Sequence, residues 1–184
     1  AASDVYKRQA PGETEDQLFV WFPNEKVLCT GDNFYRSFPN LYAIRGTVYR
    51  DVNAWANSLD KMLELDFEAV VPGHTQVFVG KNEARKALTN YRDAVRYVFD
   101  KTIEGMNQGM HPDELVAYVK LPDSLASLAY LTEYYGRVDW SVRSIHNGYL
   151  GWFDGNATNL IPLAPKVEAQ KMAQMAGGEQ KLLE

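Results

Sequence analysis

The sequence predicts an α/β unit followed by an all-helical region. Short apolar runs at Leu18–Phe22, Val27–Cys29 and Ala69–Val71 flank a helical repeat between Asp51 and Leu65. From Lys81 onward the periodic segments are helical. With 46% hydrophobic residues in 184, there is ample material for a core, and the length allows one large domain or two small ones.

Ala1–Gln9 is polar and lacks periodicity. It resembles a translated adapter sequence, so residues 1–9 are set apart as a non-native leader and the chain is read as N-terminally truncated. Leu18–Phe22 and Val27–Cys29 enclose Pro23-Asn24-Glu25-Lys26, a turn sequence, and predict a β-hairpin. Asp51 is placed to cap a helix whose apolar residues Val52, Trp55, Ala56, Leu59, Met62 and Leu63 share one face. Ala69–Val71 then predicts a strand running into Pro72-Gly73-His74.

Asn82–Asn107 repeats Ala84, Ala87, Leu88, Tyr91, Ala94, Val95, Val98, Thr102 and Met106 in helical register and predicts a long helix. Pro112-Asp113-Glu114 opens another, with proline and acids where a helix start favours them. Ser124–Tyr134, Asp139–Leu150 and Lys166–Met175 predict three more. The expected division is 10–80 for the α/β part, 81–176 for the helical part and 177–184 for a polar tail.

A net charge of -5 argues against a nucleic-acid partner. No apolar run approaches the roughly 20 residues of a membrane-spanning helix. Cys29, the single cysteine, has no partner for an internal disulfide and reads as a core residue. No compartment can be read.

Chemistry concentrates between Gly31 and Gly46. Asp32 stands just past a strand, where a carboxylate can face a cleft, and Arg45 offers a planar cation suited to sulfate, phosphate or carboxylate. Phe34, Tyr35, Phe38, Leu41 and Tyr42 lie between them and can line a pocket. Two further Pro-Gly turns carry Glu13 and His74. Two acids and a histidine, each in a turn beside a strand, form a candidate metal set.

Ala10-Pro11-Gly12-Glu13, Asp32-Asn33, Asn40–Gly46, Arg50-Asp51, His74 and Tyr149–Asn156 together resemble the alkyl sulfatases of the metallo-β-lactamase superfamily. The resemblance implies the C-terminal part of an αββα sandwich, here incomplete, followed by a helical dimerisation domain. It further implies a homodimer and zinc-dependent hydrolysis of alkyl sulfate esters by two zinc ions per active site. Glu13, Asp32 and His74 correspond to metal ligands, and Arg45, Asn40 and Tyr42 to substrate-binding residues. The expected substrate is a small amphiphilic anion.

The family's first zinc-binding loop, a His-x-His-x-Asp-His run, has no match here. The histidines are His74, His111 and His146; His111 reads as a helix-entry residue and His146 as a packing or capping one. Asp32 stands where the alkyl sulfatases usually carry Glu. Hydrolysis of another ester, a lactone or a phosphate compound therefore stays open, as does a non-catalytic dimerisation fragment. This chain alone is expected to be inactive.

Overall fold

The computed structural model describes residues 4–183. Five strands form one sheet in sequential order: β1 (Tyr6–Gln9), β2 (Leu18–Phe22), β3 (Val27–Gly31), β4 (Ala69–Pro72) and β5 (Phe78–Val79). The β2–β3 hairpin is antiparallel, with Val20 opposite Cys29. Helix α1 (Val52–Leu63) then carries the chain back, so that β4 lies parallel to β3, Leu28 beside Val70. An α/β unit thus forms where the alternation predicts one.

Helices α2 (Lys81–Asn107), α3 (Pro112–Tyr118), α4 (Asp123–Ala126), α5 (Val138–Leu150), α6 (Pro165–Met175) and α7 (Glu179–Leu182) follow. Phe19, Trp21, Leu28, Val70 and Phe78 point from one sheet face into a core shared with Trp55, Leu59, Met62, Leu88 and Tyr91. That core continues without a break through Val95 and Val98 to Leu115, Val142 and Ile145. Val20, Phe22, Val27, Cys29 and Val71 on the opposite face are apolar and half-buried. Such a sheet has the composition of one covered on both sides.

Four elements differ from expectation. Tyr6–Gln9, set aside as part of a leader, pairs antiparallel with β2 across Tyr6–Trp21 to Gln9–Leu18. β5 is only two residues long, too short to leave a periodic signal. The helix expected over Ser124–Tyr134 stops at Ala126, and a 3₁₀ turn covers Ala129–Leu131. The reason is tertiary: Thr132 and Gly136 spend their backbone hydrogen-bonding groups on Phe38 rather than on a helix. The tail, read only as polar, also holds a short helix, α7.

Residues to Trp152 form one compact unit and those from Phe153 a second. Among the described residues no helix is long and apolar enough to cross a membrane.

Asp51 caps α1 as predicted, its Oδ1 accepting from the Ala54 amide at 2.9 Å. Asp51→Ala should cost about 1 kcal/mol of stability. Urea unfolding of the two chains measures it, with Lys61→Ala on the exposed face of the same helix expected within about 0.5 kcal/mol of the parent.

Candidate active site

Parallel strands release their C-terminal loops on the same edge of the sheet, where ligands of α/β proteins collect. β3 ends at Gly31 and delivers Asp32; β4 ends at Pro72 and delivers His74. The two loops are laced by the Gly73 amide donating to the Gly31 carbonyl at 2.8 Å. Asp32 Oδ1 and His74 Nδ1 then stand 2.7 Å apart. A Cβ on Gly73 would lie 2.3 Å from Asp32 Oδ1, so only glycine lets the loops approach this closely.

The third loop, Ala10–Glu13, is held by Asn33, whose side chain is fully buried. Its Nδ2 donates to the Ala10 carbonyl at 2.6 Å, and its Oδ1 accepts from the Glu13 amide at 3.2 Å. Gly12 lies flush against that amide group, where a Cβ would come within 1.9 Å of Oδ1. Trp55 Nε1 donates to the Asn33 carbonyl at 3.0 Å and ties the arrangement to α1.

Glu13, Asp32 and His74 therefore face one cavity of ≈ 570 Å³, which Tyr35, Arg36, Ser37, Arg45, Thr75, Tyr134 and Tyr135 complete. Arg45 is exposed on this wall and makes no ion pair among the described residues. Arg36 is occupied instead. Its Nε and Nη2 donate to the carbonyls of Gln76 and Val77, and its guanidinium lies over the Phe78 ring. Thr75 adopts φ 73°, uncommon for a β-branched residue, while its Oγ1 accepts from the Arg36 amide. Strain of this kind concentrates where a loop must present a functional group.

Glu13 is not the solvated turn residue its acidic neighbours could suggest. Its Oε1 stands 3.1 Å from Arg50 Nη2, and both side chains are largely buried. Arg50 also donates to the Asn40 carbonyl. Sequence reading missed this partner, although Arg50 lay within a matched motif.

Asn40 and Tyr42 do not reach the cavity. Both are buried behind it: the Asn40 amide donates to the Tyr35 hydroxyl, and Asn40 Oδ1 caps the Tyr42 amide. Tyr42 packs edge-on against Trp140. Their side chains shape the Arg45 loop from within, because the loop folds back on itself between Tyr35 and Arg50. Tyr134 and Tyr135, by contrast, reach the cavity from the loop before α5. No local pattern marked them.

Two carboxylates and an imidazole are donors suited to zinc, so the residues fit one part of such a site. They do not enclose an ion alone: among the described residues no three His, Cys, Asp or Glu are gathered closely enough to hold one. His111 starts α3, where its carbonyl accepts from Leu115, and His146 is buried in α5. Neither lines this cavity.

Comparison with known proteins shows what the chain is similar to. Residues 4–74 match the metallo-beta-lactamase superfamily, and residues 111–184 match the alkyl sulfatase dimerisation domain. The two matched segments follow one another along the chain. A linear primary-alkylsulfatase of Pseudomonas sp. is 40% identical over 94% of this chain and 33% of its own length. An alkyl/aryl-sulfatase of Saccharomyces cerevisiae is 29% identical over 98% of the chain and 28% of its own length. The structure of a stereoselective inverting sec-alkylsulfatase from Pseudomonas sp. superposes with a TM-score of 0.91 at 30% identity, over 97% of this chain and 29% of that one. The chain thus spans about a third or less of the relatives it matches. The metallo-β-lactamase segment includes β1, and its superfamily generally binds zinc.

Hydrogen bonding to Asp32, and then its charge, raise the His74 imidazole above its ordinary value of 6.5. A raised value means that the pair stabilises the fold fully below about pH 6.5 and loses that contribution as pH rises through the raised value. His74 is three-quarters exposed, so solvent screens much of the effect. In metal-free chain, an NMR titration should place the His74 midpoint above 6.5 and return it to the ordinary value in Asp32→Ala. Equal midpoints would remove the pair.

Proposed function

We propose that this chain is part of a zinc-dependent hydrolase of alkyl sulfate esters, releasing sulfate and an alcohol. One observation carries the reading: Arg45, which makes no ion pair among the described residues, stands on the wall of the cavity that Glu13, Asp32 and His74 share. The alkyl sulfatase relatives over nearly the whole chain support it. Glu13, Asp32 and His74 would contribute to holding two zinc ions, with the remaining donors supplied by residues of the full-length protein. Zinc, when bound, lowers the pKa of water to near 7 and so makes hydroxide available at neutral pH.

The residues of this chain have definable tasks. Arg45 receives the sulfate oxygens with its planar fork, and its charge opposes the negative charge that grows as the ester bond breaks. The rings of Tyr35, Tyr134 and Tyr135 offer an apolar wall to the alkyl chain, each buried methylene contributing about 0.8 kcal/mol. Asn40 and Tyr42 act at one remove by shaping the Arg45 loop. Arg36 and Thr75 fix the loop that carries His74. The division of labour suits a molecule with an anionic head and an apolar tail.

Arg45→Lys keeps the charge and loses the fork. In the full-length protein it should lower kcat/KM for dodecyl sulfate by about ten-fold or more, at unchanged zinc content. A neutral ester of equal chain length should be affected little. Equal losses on both substrates would mean that Arg45 holds the fold, and the anion site would fall. Hydrolysis of the neutral ester alone would favour the ester or lactone reading that Asp32 keeps open.

Homodimerisation through the helical region belongs to the same proposal. Residues 111–184 match the dimerisation family, and the unit from Phe153 exposes Ile161, Leu163 and Met175. Light scattering on the 20.9 kDa chain should therefore give twice that mass. A monomer at micromolar concentration would overturn the assignment of these apolar residues to a self-interface.

A further inference from the structure

We propose that Tyr135 is a positioning residue that aims the Glu13 carboxylate into the cavity; this rests on the reading of Glu13 as a zinc donor. The two residues are 122 apart in the chain, and the Tyr135 hydroxyl donates to Glu13 Oε1 at 3.3 Å. Arg50 Nη2 stands 3.1 Å from the same oxygen. Among the described residues no hydrogen bond or ion pair engages Oε2. One oxygen is thus doubly held while the other is left for the cavity. Rotation about the last bond of a glutamate is broad and poorly staggered, so a single contact to Arg50 would not set the carboxylate plane. A second donor from a different direction does.

The hydroxyl is itself well placed. The Thr132–Gly136 strap lies along Ser37–Asn40, with the Phe38 amide donating to the Thr132 carbonyl at 2.9 Å and the Gly136 amide to the Phe38 carbonyl at 3.0 Å. The Tyr135 amide donates to Ser37 Oγ at 3.1 Å. A Cβ on Gly136 would lie 1.9 Å from the Pro39 carbonyl oxygen, so only glycine lets the strap lie this close to the Asn40 loop. The Tyr135 ring meets Tyr35 edge-on, with centroids 5.7 Å apart, and Tyr35 meets the fully buried Tyr91. The strap runs directly into α5, so the segment before that helix reaches Glu13 through this hydroxyl.

Tyr135→Phe removes that hydroxyl and keeps the ring on Tyr35; Tyr118→Phe, which removes a hydroxyl bonded to Glu104 at the end of α3 and away from the cavity, is the control. In the metal-free chain, Tyr135→Phe should move the Glu13 carboxyl carbon resonance and leave the thermal midpoint within a few degrees. In the full-length protein it should weaken zinc binding about ten-fold, measured by competition with a chromophoric chelator. It should lower kcat for dodecyl sulfate with KM nearly unchanged, while Tyr118→Phe changes neither zinc affinity nor kcat. Zinc affinity unchanged in Tyr135→Phe overturns the positioning role, even if the Glu13 resonance moves. A parent protein that binds no zinc overturns the metal reading itself, and this proposal with it.

Discussion

The site depends on one buried amide. Asn33 joins three segments that share no secondary structure: the turn before β2, the end of β3 and helix α1. Its two side-chain bonds are made inside the protein, where an unpaired amide costs about 1–3 kcal/mol. The arrangement is therefore all or nothing. Losing either partner leaves a buried donor or acceptor unsatisfied, and Glu13 then loses the anchor of its own backbone. Gly12 and Gly73 belong to the same constraint, because each lets backbone pass a side chain at a distance no Cβ permits. The three loops carry chemistry only while they stay this close.

Much of this was legible in the chain. Short apolar runs gave β2, β3 and β4, helical periodicity gave α1, α2 and α5, and Asp32 and His74 were legible as candidate ligands in turns beside strands. Parallel pairing of β3 with β4 is what makes them meet, and a strand–helix–strand order nearly dictates it. The illegible parts are those settled across long sequence distances. Nothing near Glu13 announces Arg50, and nothing near Tyr135 announces Glu13. Asn40 and Tyr42 sit in a run that resembles a substrate-binding motif, yet resemblance says nothing of which way a side chain turns. Here the loop turns both inward, leaving Arg45 to face the cavity. Ser124–Tyr134 has helical periodicity over much of its length, but its last residues hydrogen-bond to another loop, and tertiary pairing overrides local preference.

Glu13 and Arg50 show how a buried pair can serve a site rather than stability. Desolvating two charges cancels much of their attraction, so the pair adds little to the fold as a whole. Removing either member is another matter, since the survivor is left charged and buried, at about 3–5 kcal/mol. The pair makes a carboxylate obligatory at position 13 without needing it to be exposed. Tyr35 reinforces the same wall: burial pushes its hydroxyl well above the usual phenol value, so it remains a neutral donor and acceptor at any working pH.

β1 lies at one margin of the sheet, with β2 on its inner side. Its four residues are exposed, and Lys7 and Arg8 occupy its middle. Among the described residues no strand pairs with its outer edge, and an unpaired margin of backbone amides and carbonyls is a template on which another extended chain can add. Cationic side chains there repel a like strand at neutral pH, and added salt shortens the reach of that repulsion from about 10 Å at 0.1 M to about 3 Å at 1 M. The colloidal behaviour of the chain is thus tied to two lysine-and-arginine charges far from any chemistry: a concentrated, high-salt preparation removes the electrostatic guard and leaves only the shortness of the strand to oppose fibrous association.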